Sequence, residues 1–277
     1  MDARLRRLVG ASAALTGILM VLGVYTASTG AGLTCAGRWP LCDGFLGLFP
    51  ANWSSFIEWF HRLVAMITGF VVLGTTVVAW RQGAERRVRL ALAGATILLP
   101  SQIILGALTV TTYEWAILLA HFGTASIIFT GVAMAAIWAY EPASGPGTVD
   151  RVRRPLAVAT ALLPVMLVLA PHAFVTFGPE VQATYYLAGL TAYVGLLATA
   201  VWVTDASGSS RLIGRVSGLA ALVVISLLVV GRLVYGGTLQ YVSVAGTILA
   251  LGLVAAAWFL ARSGGSPADA TVASRSD

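Results

Sequence analysis

Charge is what this chain has least of. Only 10% of its 277 residues are Asp, Glu, Lys or Arg, against 58% that are hydrophobic, and the mean hydropathy is +0.88. So few charges exclude a soluble fold of this length and make lipid the solvent. Lysine is missing altogether: all 17 basic residues are arginine, a fact that carries no functional reading. The net charge of +6 does not signal nucleic acid. The arginines fall in short clusters between apolar runs, which is the orientation pattern of a membrane protein. Metal ligands are scarce too. With three histidines and two cysteines, the chain offers none of the Cys, His and carboxylate clusters that zinc or copper sites use.

What is plentiful is apolar runs long enough to cross a bilayer. About 30 Å of hydrocarbon at about 1.5 Å per residue takes about 20 residues. Eight runs qualify, near residues 8–28, 56–80, 88–110, 115–138, 155–173, 181–203, 212–233 and 241–261. The pattern predicts an all-α polytopic membrane protein with eight transmembrane helices. A long loop at 29–55, rich in Gly, Pro and Trp, holds both cysteines. The turn-rich stretch EPASGPGTVDRVRR at 141–154 reads as a linker between a first half, 1–140, and a second, 155–262, with a disordered tail at 263–277. The first run is long for a signal peptide and TASTGA is a poor cleavage site, so it is read as a span.

With an even number of spans, fourteen arginines fall on one side and only Arg38, Arg62 and Arg232 on the other. That bias puts both termini in the cytoplasm and the cysteine loop on the outer face of a plasma membrane. The halves look like diverged repeats. Gln102 to Gly106, followed by Ala107, in the third span is matched by Arg232 to Gly236, followed by Gly237, in the seventh. Small pairs let helix backbones, or a flat ligand, come close. Two pseudo-repeated four-helix bundles are the simplest architecture.

Ionisable groups inside a span are costly, so each calls for an explanation. The second span opens with IEWFHRL, which puts Glu58 and His61 three apart on one helical face. The fourth span carries His121 within LLAHFGTAS. Both spans enter the membrane from outside, and both histidines lie roughly five or six residues in, about 8–9 Å below the outer edge. A lone buried histidine would be read as bonded to Ser, Thr or backbone. Two at matched depth, with Glu58 beside one, point instead to a shared metal, and two ligands without a cysteine or carboxylate cluster suit haem iron. Arg62 is placed either to hold a haem propionate or to snorkel to the interface. Gln102 and Gly106 are candidates for a substrate cavity. His172, beside Pro171 at the end of the fifth span, reads as an ordinary boundary residue. Glu180 opens the sixth span much as Glu58 opens the second, but Ala183 stands where a histidine would follow. In the eighth span Ser243 and Val244 stand near the place of His121. Cys35 and Cys42, seven apart in an oxidising compartment, suit a disulfide that is either a structural staple or a redox pair. Trp39 and Trp53 read as interfacial anchors.

Together TASTGAGLTCAGRWPLCDG at 26–44, EWFHR at 58–62, QIILGALTV at 102–110 and the His121 segment resemble the haem A synthase family, over about residues 8–140. The resemblance implies an oxidoreductase that hydroxylates the C8 methyl of haem O twice and loses water to leave a formyl group. Carried over, His61 and His121 become axial ligands of haem O/A, Glu58 the essential carboxylate, and Cys35 with Cys42 the loop pair. It implies haem O, the farnesyltransferase that makes it, and cytochrome oxidase assembly as partners, with no nucleic acid, and is compatible with a homo-oligomer. The family's haem b sits on histidines of spans six and eight; this chain lacks them, which counts against haem b. Three rivals stand beside it: a b-type cytochrome electron carrier, a non-catalytic haem-binding assembly protein, and a small-solute transporter built from repeats, against which count the lack of visibly inverted repeats and of a span broken at midplane.

Overall fold

A computed structural model describes residues 1–112, 114–142, 148–203, 209–232 and 239–263. The chain there is helical, with eight long α-helices: α1 Ala3–Ser28, α2 Trp53–Arg81, α3 Arg86–Thr111, α4 Trp115–Ala139, α5 Thr148–Val168, α6 Pro179–Trp202, α7 Ser209–Val230 and α8 Leu239–Ser263. Side chains close several starts. Asp2 caps α1 by accepting from the Arg4 amide, Asn52 caps α2 by accepting from Ser55, and Pro179 opens α6 where no amide is needed. Seven of these helices are long and apolar enough to cross a membrane; α5 is the exception. Its first turns carry Asp150, Arg151, Arg153 and Arg154, leaving only residues 155–168 uncharged.

The start of α5 corrects the expected linker at 141–154. Val152, Leu156, Ala159, Leu163 and Met166 are all fully buried, at alternating spacings of four and three. This apolar stripe begins inside the supposed linker and draws it into a helix against α6 and α8. The fifth span is correspondingly shorter than expected, ending at Val168 rather than 173. The tail at 263–277 and the glycine pair Gly236–Gly237 lie outside the described residues, apart from Ser263 at the end of α8.

Helices α1 to α4 close into one ring of neighbours, α1 on α2, α2 on α3, α3 on α4 and α4 back on α1. Helices α5 to α8 form a second ring with the same order, and α1 and α4 meet α6 and α7 between the rings. Polar links cross helices where lipid gives no hydrophobic drive: Ser12 to Thr75 at 3.0 Å, Thr76 to Thr96 at 2.8 Å and Thr130 to Tyr193 at 2.9 Å. Gly195 lets α6 lie on α5, since a Cβ there would stand 2.7 Å from the Pro155 carbonyl oxygen. Outward faces are apolar, with Ile18, Phe70, Ile97, Ile127, Leu222 and Phe259 exposed as lipid contact requires.

The two rings are packed differently. The second is filled along its length by a core that includes Tyr185, Tyr186, Leu196, Leu156, Leu163 and Met166. In the first, the tight core of Leu5, Val9, Val72, Val88, Leu92 and Val132 lies toward the arginine-rich end. The other end, under the cysteine loop, is hollow.

Candidate functional site

The hollow is a cavity of about 940 Å³ enclosed by α1 to α4 and roofed by the loop. This is the upper part of the range, about 300–1,000 Å³, for small-molecule and cofactor sites. Its walls are mostly apolar. Met66, Phe70 and Leu73 of α2 and Ile103 of α3 line it and are also exposed on the outside, so the wall between these helices opens sideways toward lipid. Pro100, inside α3 on the cavity wall, interrupts that helix's hydrogen-bond ladder here.

Five residues singled out from sequence come together in it: Glu58, His61, Arg62, Gln102 and His121, with Gly106 beside them. His61 is the ninth residue of α2, which the Asn52 cap starts at Trp53. His121 is the seventh residue of α4, and the two imidazoles are near enough to act on each other electrostatically. Among the described residues neither Nδ1 has a hydrogen-bond partner, although both are buried. Imidazoles left unpartnered at a cavity wall are free to ligate. Small residues set their positions. A Cβ on Gly23 of α1 would lie 3.0 Å from His61 Cε1, and one on Gly106 of α3 would lie 3.6 Å from His121 Cε1. Gln102 Nε2 donates to the His121 carbonyl at 3.3 Å, tying α3 to α4 at that level.

Glu58 is only 5% exposed, and its Oε1 accepts from Arg62 Nε at 2.7 Å. Arg62 Nη1 donates to the carbonyls of Arg38, Pro40 and Leu41, so one guanidinium joins the carboxylate to the loop. Its Nη2 is buried and without a partner among the described residues. Arg62 is thus held between Glu58 and the loop.

The loop itself is tied down. Cys35 and Cys42 form a disulfide, and both are buried. Asp43 accepts from the Ser55 hydroxyl at 2.6 Å and the Ala51 amide at 2.9 Å, pinning the loop to the start of α2. These bonds hold the Asp43 carboxyl below its ordinary value of 3.8. Trp39 is partly exposed and also lines the cavity, as does Trp59, whose Nε1 donates to the Leu48 carbonyl. Trp53 is exposed. Their shared aromatic character gave the sequence no means to separate the two settings.

Other candidates stay outside. His172 is exposed beyond the end of α5, with a left-handed backbone, and Glu180 is exposed at the start of α6. Where the second ring would mirror the site, Tyr185 and Tyr186 are completely buried, and rings continue in contact from Phe177 through both tyrosines to Phe122. Arg232, from that second ring, lines the first-ring cavity, which the sequence did not indicate.

Residues 6–175 match the family model described as cytochrome oxidase assembly protein, COX15-CtaA. The chain is 34% identical over 128 residues to the haem A synthase of Bacillus pumilus, covering 45% of this chain and 41% of that protein. It is 33% identical over 126 residues to the haem A synthase of Bacillus licheniformis, covering 44% and 41%. It is also 34% identical over 148 residues to the protohaem IX farnesyltransferase of Haloarcula marismortui, covering 53% of this chain and 31% of that protein. The chain thus spans less than half the length of these relatives.

Proposed function

Because the chain belongs to the cytochrome oxidase assembly family that includes haem A synthases, we propose that it oxidises the C8 methyl of haem O to a formyl group in the first-ring cavity. The observation that carries this reading is the pairing of two half-buried imidazoles, each with a buried, unpartnered Nδ1, with one buried carboxylate around a cavity open to lipid. Haem O is amphiphilic. A sideways opening between α2 and α3 suits entry from the bilayer, with the acidic edge toward the loop and the apolar tail toward Phe70 and Leu73.

His61 and His121 would hold the substrate's iron, which would supply the oxidising chemistry. The protein supplies position and proton control. Glu58 stands at the cavity wall within one helical turn of His61, placed to take up or hand on protons, and Arg62 fixes its orientation. Two hydroxylations of one methyl carbon, each taking one oxygen atom from dioxygen while two protons and two electrons from an external donor carry the other to water, would give a hydrate that loses water to the aldehyde. The disulfide loop roofs the site and limits bulk water. The membrane setting follows from the apolar spans; the plasma membrane, with the loop outside, is the location the arginine bias supports.

A second reading comes from the farnesyltransferase relatives. Transfer from an isoprenoid diphosphate uses carboxylates that hold divalent cations. The cavity has one carboxylate, already committed to Arg62, so the oxidase reading is preferred. Both are tested by expressing the chain in membranes supplied with haem O, or with protohaem and farnesyl diphosphate, and separating the extracted haems. Haem A or its hydroxylated precursor, lost in Glu58→Ala and His61→Ala, supports the synthase. Unchanged haem O overturns it, and haem O made from protohaem favours the transferase.

A further inference from the structure

Arg232 is one of three arginines against the charge bias, and with Arg62 one of two that line the cavity. It stands two residues beyond the end of α7, outside the segment that matches the family. Its guanidinium lies 5.8 Å over the ring of Tyr186. That ring is fixed: the Tyr186 hydroxyl donates to the Leu228 carbonyl at 2.9 Å, and the ring packs edge-on to Phe122, next to His121, at 5.3 Å. The charge of Arg232 is near enough to act on His121.

An arginine keeps its charge at any working pH, and a partly enclosed one needs a counter-charge. Among the described residues Arg232 has none, since the ion pairs there belong to Arg62 and Arg87. Contact with a ring face leaves the in-plane N–H groups free to donate. The cavity thus holds two guanidiniums and one carboxylate, Glu58, with Arg62 Nη2 also unpartnered. Its surplus is positive, at the loop end.

We infer that Arg232, contributed by the second ring, is a carboxylate-binding residue of the first-ring site, holding one acidic side chain of the ligand while Arg62 Nη2 faces the other. This rests on the haem reading above, in which the two propionates are those carboxylates. It makes the second ring part of the binding site.

The test is a Soret-band titration of the full-length chain in detergent with protohaem and with protohaem dimethyl ester, whose carboxylates are masked. Arg232→Gln is expected to weaken binding of the free acid on the order of tenfold, to leave the ester unchanged, and to be partly rescued by Arg232→Lys. Equal effects on both haems, or no effect on either, overturn the inference while leaving the haem reading intact. A wild-type chain that binds neither haem overturns the haem reading and this inference with it.

Discussion

At the scale of single residues, the site depends on what is absent beside His61. Gly23 leaves room for the imidazole, and a Cβ at that position would come within 3.0 Å of its Cε1. Gly23→Val is therefore expected to displace the ring and lower haem affinity at least about tenfold, because a packed wall cannot absorb extra methyls without shifting its neighbours. Gly74→Val, on α2 where the added carbons meet open space, is the control and should leave the Soret titration unchanged. Glu58 makes a different kind of contribution. Glu58→Gln removes the charge that balances Arg62, leaving a neutral amide oxygen and three carbonyls as its acceptors. Thermal unfolding in detergent should show a loss of about 1–3 kcal/mol, together with loss of haem A formation. Both histidines and Glu58 were legible in the sequence because ionised or imidazole side chains stand out against an apolar span. Gly23 was not, since a glycine in a membrane helix carries no sign of which neighbour it admits. Arg232 was visible as an outer-side charge, but which ring it serves depends on how the rings meet.

At the scale of elements, the eight helices were legible to within a few residues wherever an apolar run ended at a cap or a charge. The failure at α5 is instructive. Its arginine-rich start and the preceding EPASGPG look like loop chemistry, while the buried stripe places only one residue, Val152, inside the expected linker. The loop over the cavity carries the pH prediction. Asp43 has its folded pKa depressed by bonds from Ser55 and Ala51. Its contribution to loop docking is therefore full above the unfolded value and is lost as pH falls through the lower folded one. The reduction rate of Cys35–Cys42 by a phosphine, followed from about pH 6 down to about pH 3, should rise only at the acid end. Asp43→Asn should show the faster rate already near neutrality. A rate flat with pH and equal in the variant would mean that Asp43 does not hold the roof. Both sulfurs are buried, so slow reduction of the wild type at neutral pH is expected of a staple.

At the scale of the whole molecule, two rings share one order of helices but not one interior. The first is hollow under the loop and contains both unpartnered imidazoles; the second is closed by Tyr185 and Tyr186, each fully buried. This asymmetry was legible in part, because Ala183, Ser243 and Val244 replace the histidines a second site would need. The sequence did not show what fills the space, which depends on two large side chains turning inward from α6. A filled ring of this kind has no room for a second flat macrocycle, and protein interiors at native packing density do not open one without cost. The chain is therefore expected to bind one haem, not two. Pyridine haemochrome analysis of the purified, reconstituted chain should saturate at one equivalent, and His61→Ala with His121→Ala should abolish binding entirely. A second equivalent that survives the double substitution would place a haem in the second ring and refute the packing argument. Opening the second ring by Tyr185→Ala and Tyr186→Ala should not create a site, since no imidazole faces the space. It should instead lower stability, by about 3–5 kcal/mol for each buried aromatic removed, and loosen the platform under Arg232. If the second ring serves the first through that arginine, Tyr186→Ala alone should weaken free-acid haem more than its dimethyl ester, whereas Tyr185→Ala should weaken both alike.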